Sequence, residues 1–310
     1  LEALVDRKLI YPGQIPLETD LLGSERNTMV ALAALASAMF GGATTTNGLS
    51  CGPTSPASMN VKVGAGEIYS QQNLDSSAYS SLAADTAHQI MKQGILLDAV
   101  TLACPAPTTT GQSINYLIQA TFSETDTDNV VLPYYNASDP TTAYTGPNNS
   151  GVAQPTTRKA TVAVTVKAGI AAATGSQVTP TPDAGNVGLW VVTVAYGATT
   201  ITSGAISQYS AAPLIASKTA IGYVTLPGGL ILNWGNGQHS DSSGAKAVTF
   251  AKPFSTSCLC ALASNAAGGP PSAFHGTGDY STTGMTIYSA SSASVAAGPG
   301  TTFDWFAIGF

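Results

Sequence analysis

The chain has 310 residues, 44% of them hydrophobic and only 9% charged, against about 25% charged in an average soluble domain. Low charge with ample Val, Ile, Leu and Tyr is the opposite of a disordered composition. A net charge of -6, from 11 basic and 17 acidic residues, argues against the clustered cations that binding to nucleic acid requires.

Length allows about two or three domains. The longest apolar run, Met29 to Phe40, falls short of the roughly 18 residues of a membrane span, so no membrane insertion is expected. Leu1 to Leu9 carries Asp6, Arg7 and Lys8 with no apolar core behind them, which does not read as a secretory signal. Cys51, Cys104, Cys258 and Cys260 are too few for a disulfide scaffold and read as buried thiols, with a Cys51–Cys104 pair left open.

Residues 1–43 read as an N-terminal arm and helix. Pro12 and Pro16 exclude a continuous helix at the start and favour an extended arm. Asp20 is the expected N-cap of the helix, and Gly41-Gly42 its stop. Leu22, Met29 and Ala36 recur every seven residues, as do Leu32 and Met39 on the neighbouring position, with Glu25 interrupting. That spacing suits packing on the chain's own β-domain or a seam where three copies meet on an axis.

Residues 44–205 read as a β-sandwich. The strand candidates are Thr101–Cys104, Ile114–Phe122, Val130–Tyr135, Thr161–Lys167 and Gly188–Tyr196, the last apolar enough to be buried on both faces. Ser123 to Asn129 reads as a polar loop, and the Pro- and Gly-rich stretches 137–155 and 173–186 as connections. Residues 206–310 read as a second, smaller antiparallel sandwich. Its strands are Gly222–Leu226, Leu230–Trp234, Lys246–Phe250, Cys258–Leu262, Met285–Tyr288 and Phe303–Ile308. The fold class expected is therefore mainly β: an arm, one helix, then antiparallel β-sandwich domains.

Catalytic patterns are lacking in the sequence. His88, His239 and His275 form no zinc motif, and there is no nucleophile elbow, phosphate loop or dinucleotide fingerprint. Asp126 and Asp128 read as solvated turn residues rather than a glycosidase pair. No enzyme activity, cofactor or metal is expected. Two loops of the last domain carry the binding candidates: Gln238, His239 and Asp241 in one, Phe274, His275, Asp279 and Tyr280 in the other. Aromatic rings beside short polar groups suit a sugar. Met29, Leu32, Met39, Trp234, Trp305 and Phe310 are the candidates for core or trimer seam.

The segment Leu226-Pro227-Gly228-Gly229-Leu230-Ile231-Leu232-Asn233-Trp234-Gly235 resembles the opening strand, LPGGL-x-x-x-WG, of a domain that ends many phage tail fibres. The same domain continues with a block like Phe250 to Leu259 and finishes in a strand like Phe303 to Phe310, both in order here. Upstream, the segments Ala3 to Gly13, Tyr79 to Asp85 and Val131 to Asn136 resemble phage tail or baseplate fibres. The resemblance implies a homotrimeric virion tail component, its N-terminus on the tail or baseplate and its C-terminal domain binding a bacterial surface glycan or protein. It supplies no catalytic residues. Such fibres often have long shafts, whereas this chain is short, so a structural baseplate or tail-tip adaptor carrying other tail proteins is the alternative. A polysaccharide depolymerase is the weakest reading, since no β-helical repeat is visible.

Overall fold

A computed structural model describes residues 7–213, 216–217, 219–226, 229–241, 243–266, 273–292, 295–296 and 301–310. The chain divides into two compact units: residues 1–45, 72–91 and 214–310 in one, residues 46–71 and 92–213 in the other.

Helix α1 spans Glu18–Phe40. Leu17 precedes it as N-cap, and Asp20 sits three residues on, its Oδ2 accepting from the Leu17 N–H at 2.9 Å. Asp20 is thus not the N-cap expected; it reaches back to that residue from inside the first turn. Gly41, at φ 76°, ends the helix and donates to the Ser37 carbonyl at 2.9 Å. The helix has two different sides. Val30 and Ala33 are buried and Leu22, Met29 and Ala36 half-buried, whereas Leu32 and Met39 are exposed. The two seven-residue series of the sequence therefore belong to different surfaces.

Strands then follow in order: β1 (Thr45–Gly48), β2 (Cys51–Pro53), β3 (Asn60–Val63), β4 (Gly66–Asp75), β5 (Asp85–Leu96), β6 (Val100–Ala103), β7 (Gln112–Val130), β8 (Pro133–Tyr134), β9 (Tyr144–Thr145), β10 (Gln154–Ala168), β11 (Ala172–Ala173), β12 (Val187–Ala195) and β13 (Ile206–Gln208). Strands β4 and β5 pair beside β1; of the two, only Ile68 to Ser70 in β4 is strand-like in the sequence. Within the first unit, Arg26 of α1 reaches Asp75 of β4 and Asp85 of β5, each at 3.3 Å. Asp85 also takes a hydrogen bond from His88 Nδ1, which holds its carboxyl below the usual range.

In the second unit β7 is the centre, flanked by β10 and β12, with β13 beyond β12. One face of this sheet and residues of β3 and β4 share a core: Ile114, Tyr116, Ile118 and Ala120 with Val162, Val164, Val61, Val63 and Ile68. A register shift at Gly188/Trp190 turns Leu189 inward together with Val192 and Val194. The other face of β7 presents Ser113, Asn115 and Gln119, all buried. The 173–186 stretch covers it with matching polar groups: Asn115 donates to Thr179 at 2.9 Å and Gln119 to Asp183 at 2.6 Å. Ser123 to Asn129 is no loop but the outer half of β7, paired with β10, where Arg158 holds Asp126 at 2.7 Å. Nearby, Lys92 and Glu124 form an ion pair of 2.8 Å with side chains only 3% and 13% exposed.

The C-terminal segment of the first unit contains β14 (Ala216–Ser217), β15 (Ile221–Thr225), β16 (Ile231–His239), β17 (Ala245–Thr249), β18 (Cys258–Asn265), β19 (Phe274–Gly278), β20 (Gly284–Ser292), β21 (Val295–Ala296) and β22 (Thr302–Gly309). They form two antiparallel sheets, β14-β15-β16-β22-β18 and β17-β20-β19, with β21 paired to β20. Tyr223, Ile231, Ala261, Phe303, Trp305 and Ala307 face inward from the first, Val248, Met285 and Ile287 from the second, all buried. All four cysteines are free. Burial pushes the Cys51 thiol up to about 12, with Cys104 adding to it, and the Cys104 thiol up to about 11. Cys260 corrects the buried-thiol expectation: it lies exposed, past a register shift at Cys258/Cys260.

Candidate functional site

The described residues of the three sequence blocks 226–235, 250–259 and 303–310 come together in one aromatic core; Pro227 and Gly228 of the first block lie outside the described residues. Gly235 pairs directly with Trp305 across the sheet. A Cβ on Gly235 would stand 2.4 Å from the indole nitrogen, so only glycine there leaves room for the ring. Phe250 packs at 4.8 Å from Phe254 and 5.9 Å from Trp305. A Cβ on Gly309 would meet the Phe254 ring at 2.8 Å. Asn233, fully buried, exchanges two hydrogen bonds with the Lys252 backbone, at 3.0 and 2.9 Å. These residues build the domain. Trp234 and Phe310 are not in that core: the Trp234 indole donates to the Thr219 carbonyl at 3.1 Å from a half-exposed position, and Phe310 is exposed.

The outward face of the smaller sheet has a different chemistry. Val248, Met285, Ile287 and Ser289 point inward, so the residues between them point outward. Phe274 pairs with Ala290, and Gly276 with Tyr288. Phe274 and Tyr288 therefore stand diagonally on one outer face, 71% and 49% exposed. Gly276, Gly278, Ala245 and Ala247 share that face, leaving a low floor between the rings. The Tyr288 hydroxyl donates to Asp279, and this bond chiefly raises the phenol's pKa. Tyr280 reaches back to Thr277, 2.7 Å from its hydroxyl.

The sequence candidates divide on this geometry. Phe274 and Asp279 lie at the outer face, whereas Tyr280, 52% exposed, bonds Thr277, which shares the side of His275 and donates to the Ala261 carbonyl. His275 points the other way, its Nδ1 at 2.9 Å from Ser289 and its ring 5.6 Å from Phe303. Burial lowers its pKa, and its buried Nε2 has no hydrogen-bond partner. Asp241 is engaged in its own turn, accepting from the Ser243 and Ala245 backbones, with its carboxyl held below the usual range chiefly by the Ser243 hydroxyl. Gln238 donates to the Asn236 carbonyl at 3.2 Å. The side chain of His239 lies outside the described residues. Tyr288 was missed, though the alternation Met285-Thr286-Ile287-Tyr288 signals an outward ring.

Outward aromatic rings over a glycine and alanine floor, with a carboxylate at the rim, can take the apolar face of a sugar ring and accept from its hydroxyls. Among the described residues no group of three His, Cys, Asp or Glu side chains is placed to hold a metal ion.

Residues 225–310 match the family model for "Putative tail fiber protein gp53-like, C-terminal". The C-terminal segment is tail-fibre-like. It covers the block from Thr225 to Phe310 that builds the aromatic core and the outer aromatic face. Among solved structures, the P. aeruginosa R2 pyocin fibre is similar at 26% identity over 31% of this chain and 25% of that chain, with a TM-score of 0.27. An N-truncated R2-type pyocin tail fibre is similar at 26% identity over 31% of this chain and 36% of that one, with a TM-score of 0.26. This chain thus spans only part of the fibres it resembles. No curated protein matches.

Proposed function

We propose that this chain is a virion tail fibre protein of phage type. Its N-terminal segment docks on the tail or baseplate, and its C-terminal domain binds a glycan on the bacterial surface, in a homotrimer without enzymatic activity. The observation that carries the reading is the exposed Phe274–Tyr288 face on the domain that matches tail fibres. Three shallow sites on one fibre suffice, because linked sites raise effective concentration. The test is binding of labelled protein to susceptible bacterial cells, with Phe274→Ala/Tyr288→Ala as the variant. Binding should fall at least about tenfold, since truncating aromatic anchors costs upward of 1.4 kcal/mol. Unchanged binding by the folded variant would move the receptor site elsewhere.

A second reading has its own support. Trp234, Phe306 and Leu262 are cross-strand neighbours on the outer face of the larger sheet, and Phe306 and Leu262 are 42% and 56% exposed. An adaptor that contacts other tail proteins would cover such a row. In an intact particle, an exposed C-terminal domain at the periphery favours the receptor binder, and a buried one favours the adaptor.

A further inference from the structure

We propose that the exposed side of α1 is a seam along which copies of this chain pack helix against helix. The proposal rests on the homotrimer reading above and names the surface it uses. Leu21, Glu25, Thr28, Leu32, Leu35 and Met39 follow one another in alternating steps of four and three, the a/d spacing of a coiled coil. At about 100° per residue all six fall within about 40° of one line along the helix. Four of them are large apolar chains left open: Leu21 is 66% exposed, Leu32 63%, Leu35 58% and Met39 43%. Val30, 6% exposed, lies about 180° from that line. What covers Val30 therefore leaves the stripe free.

The pattern selects a second copy as occupant. Foreign helices are chosen through charges at the positions flanking the seam. Here those positions hold Leu22, Met29 and Ala36 on one side and Ser24, Ala31 and Ala38 on the other, none of them charged. A seam without such charges still matches itself, because each copy repeats the same 3.5-residue period. The helix is also already ordered: Val30 and Ala33 are buried, and Arg26 is tied to Asp75 and Asp85. Association then costs no helix nucleation. Glu25 is the one charged residue in the stripe, and its burial between copies costs free energy.

The experiment uses the full chain and measures its mass in solution by sedimentation from about 1 to 100 μM, the range in which contacts of 6–8 kcal/mol dissociate. The expected result is an oligomer that Leu32→Glu/Leu35→Glu weakens on the order of 100-fold and Glu25→Leu tightens about tenfold. Both changes lie at exposed positions, so the fold is kept and the far-UV circular dichroism of each variant should match the unmodified protein, while the melting temperature follows the strength of association. Leu35→Cys, with Cys258 and Cys260 changed to Ser, should give an interchain disulfide under mild oxidation. An oligomer indifferent to Leu32→Glu/Leu35→Glu, one weakened by Glu25→Leu, or no interchain bond through Leu35→Cys would overturn the seam and leave the homotrimer reading standing. A monomer throughout the range would overturn both.

Discussion

Gly235 and Trp305 illustrate how single residues set this domain. The indole occupies the space that a Cβ at Gly235 would take, so Gly235→Ala forces the ring or the strand aside. Overpacking of this kind costs about 1–3 kcal/mol, and urea unfolding of the variant should show the unfolding free energy lowered by that amount, with the midpoint moved down accordingly. Lys92 and Glu124 pose the opposite problem, a pair of charges held out of water. Glu124→Ala should cost about 3–5 kcal/mol because it strands the ammonium, while replacing both by apolar residues of similar size should recover most of the loss. His275 links stability to pH. Burial lowers its pKa from the ordinary 6.5, so the unfolded chain binds its proton more readily than the folded one. Its contribution is full above pH 6.5 and is lost as pH falls through and below that value. Thermal melts should fall between pH 7 and pH 5, and His275→Gln should flatten that slope; an unchanged slope would contradict the assignment.

At the scale of elements, legibility followed apolar alternation. Strands β12 and β22 read directly, because Val in the first and Phe and Trp in the second mark their buried rows. Strands β4 and β5 did not, since Tyr69, Ser70, Gln71, Gln72 and Gln93 make them polar, and part of their support comes from side-chain bonds such as Gln93 to Tyr69 at 2.9 Å. The same cause hid the outer half of β7, where Asp126 is a cross-strand partner of Arg158 rather than a turn residue. The helix was legible in its extent, from the stop at Gly41 back to the acidic first turn. Which of its faces turns inward depends on contacts with β4 and β5 through Arg26, and the seven-residue spacing alone does not contain that. Of the candidate site, Phe274, Asp279 and Tyr280 came from loop composition, but the inward turn of His275 comes from strand parity within β19, and that strand was not read at all.

At the scale of the whole molecule, 9% charge has a physical reading in the exposed apolar stripe of α1 and the Trp234–Phe306–Leu262 row. Surfaces that meet other protein lose stability with every unpaired charge they bury, while Ser, Thr and Asn loops stay hydrated without charges. The outer face of the smaller sheet is the surface we propose to meet the receptor. Competition for adsorption tests it most directly: the purified chain and its Phe274→Ala/Tyr288→Ala variant are each titrated against phage attachment to susceptible cells. The unmodified chain should block attachment at micromolar concentration, and the variant, equally folded, should need at least about ten times more. No block by either protein, or an equal block by both, would contradict it.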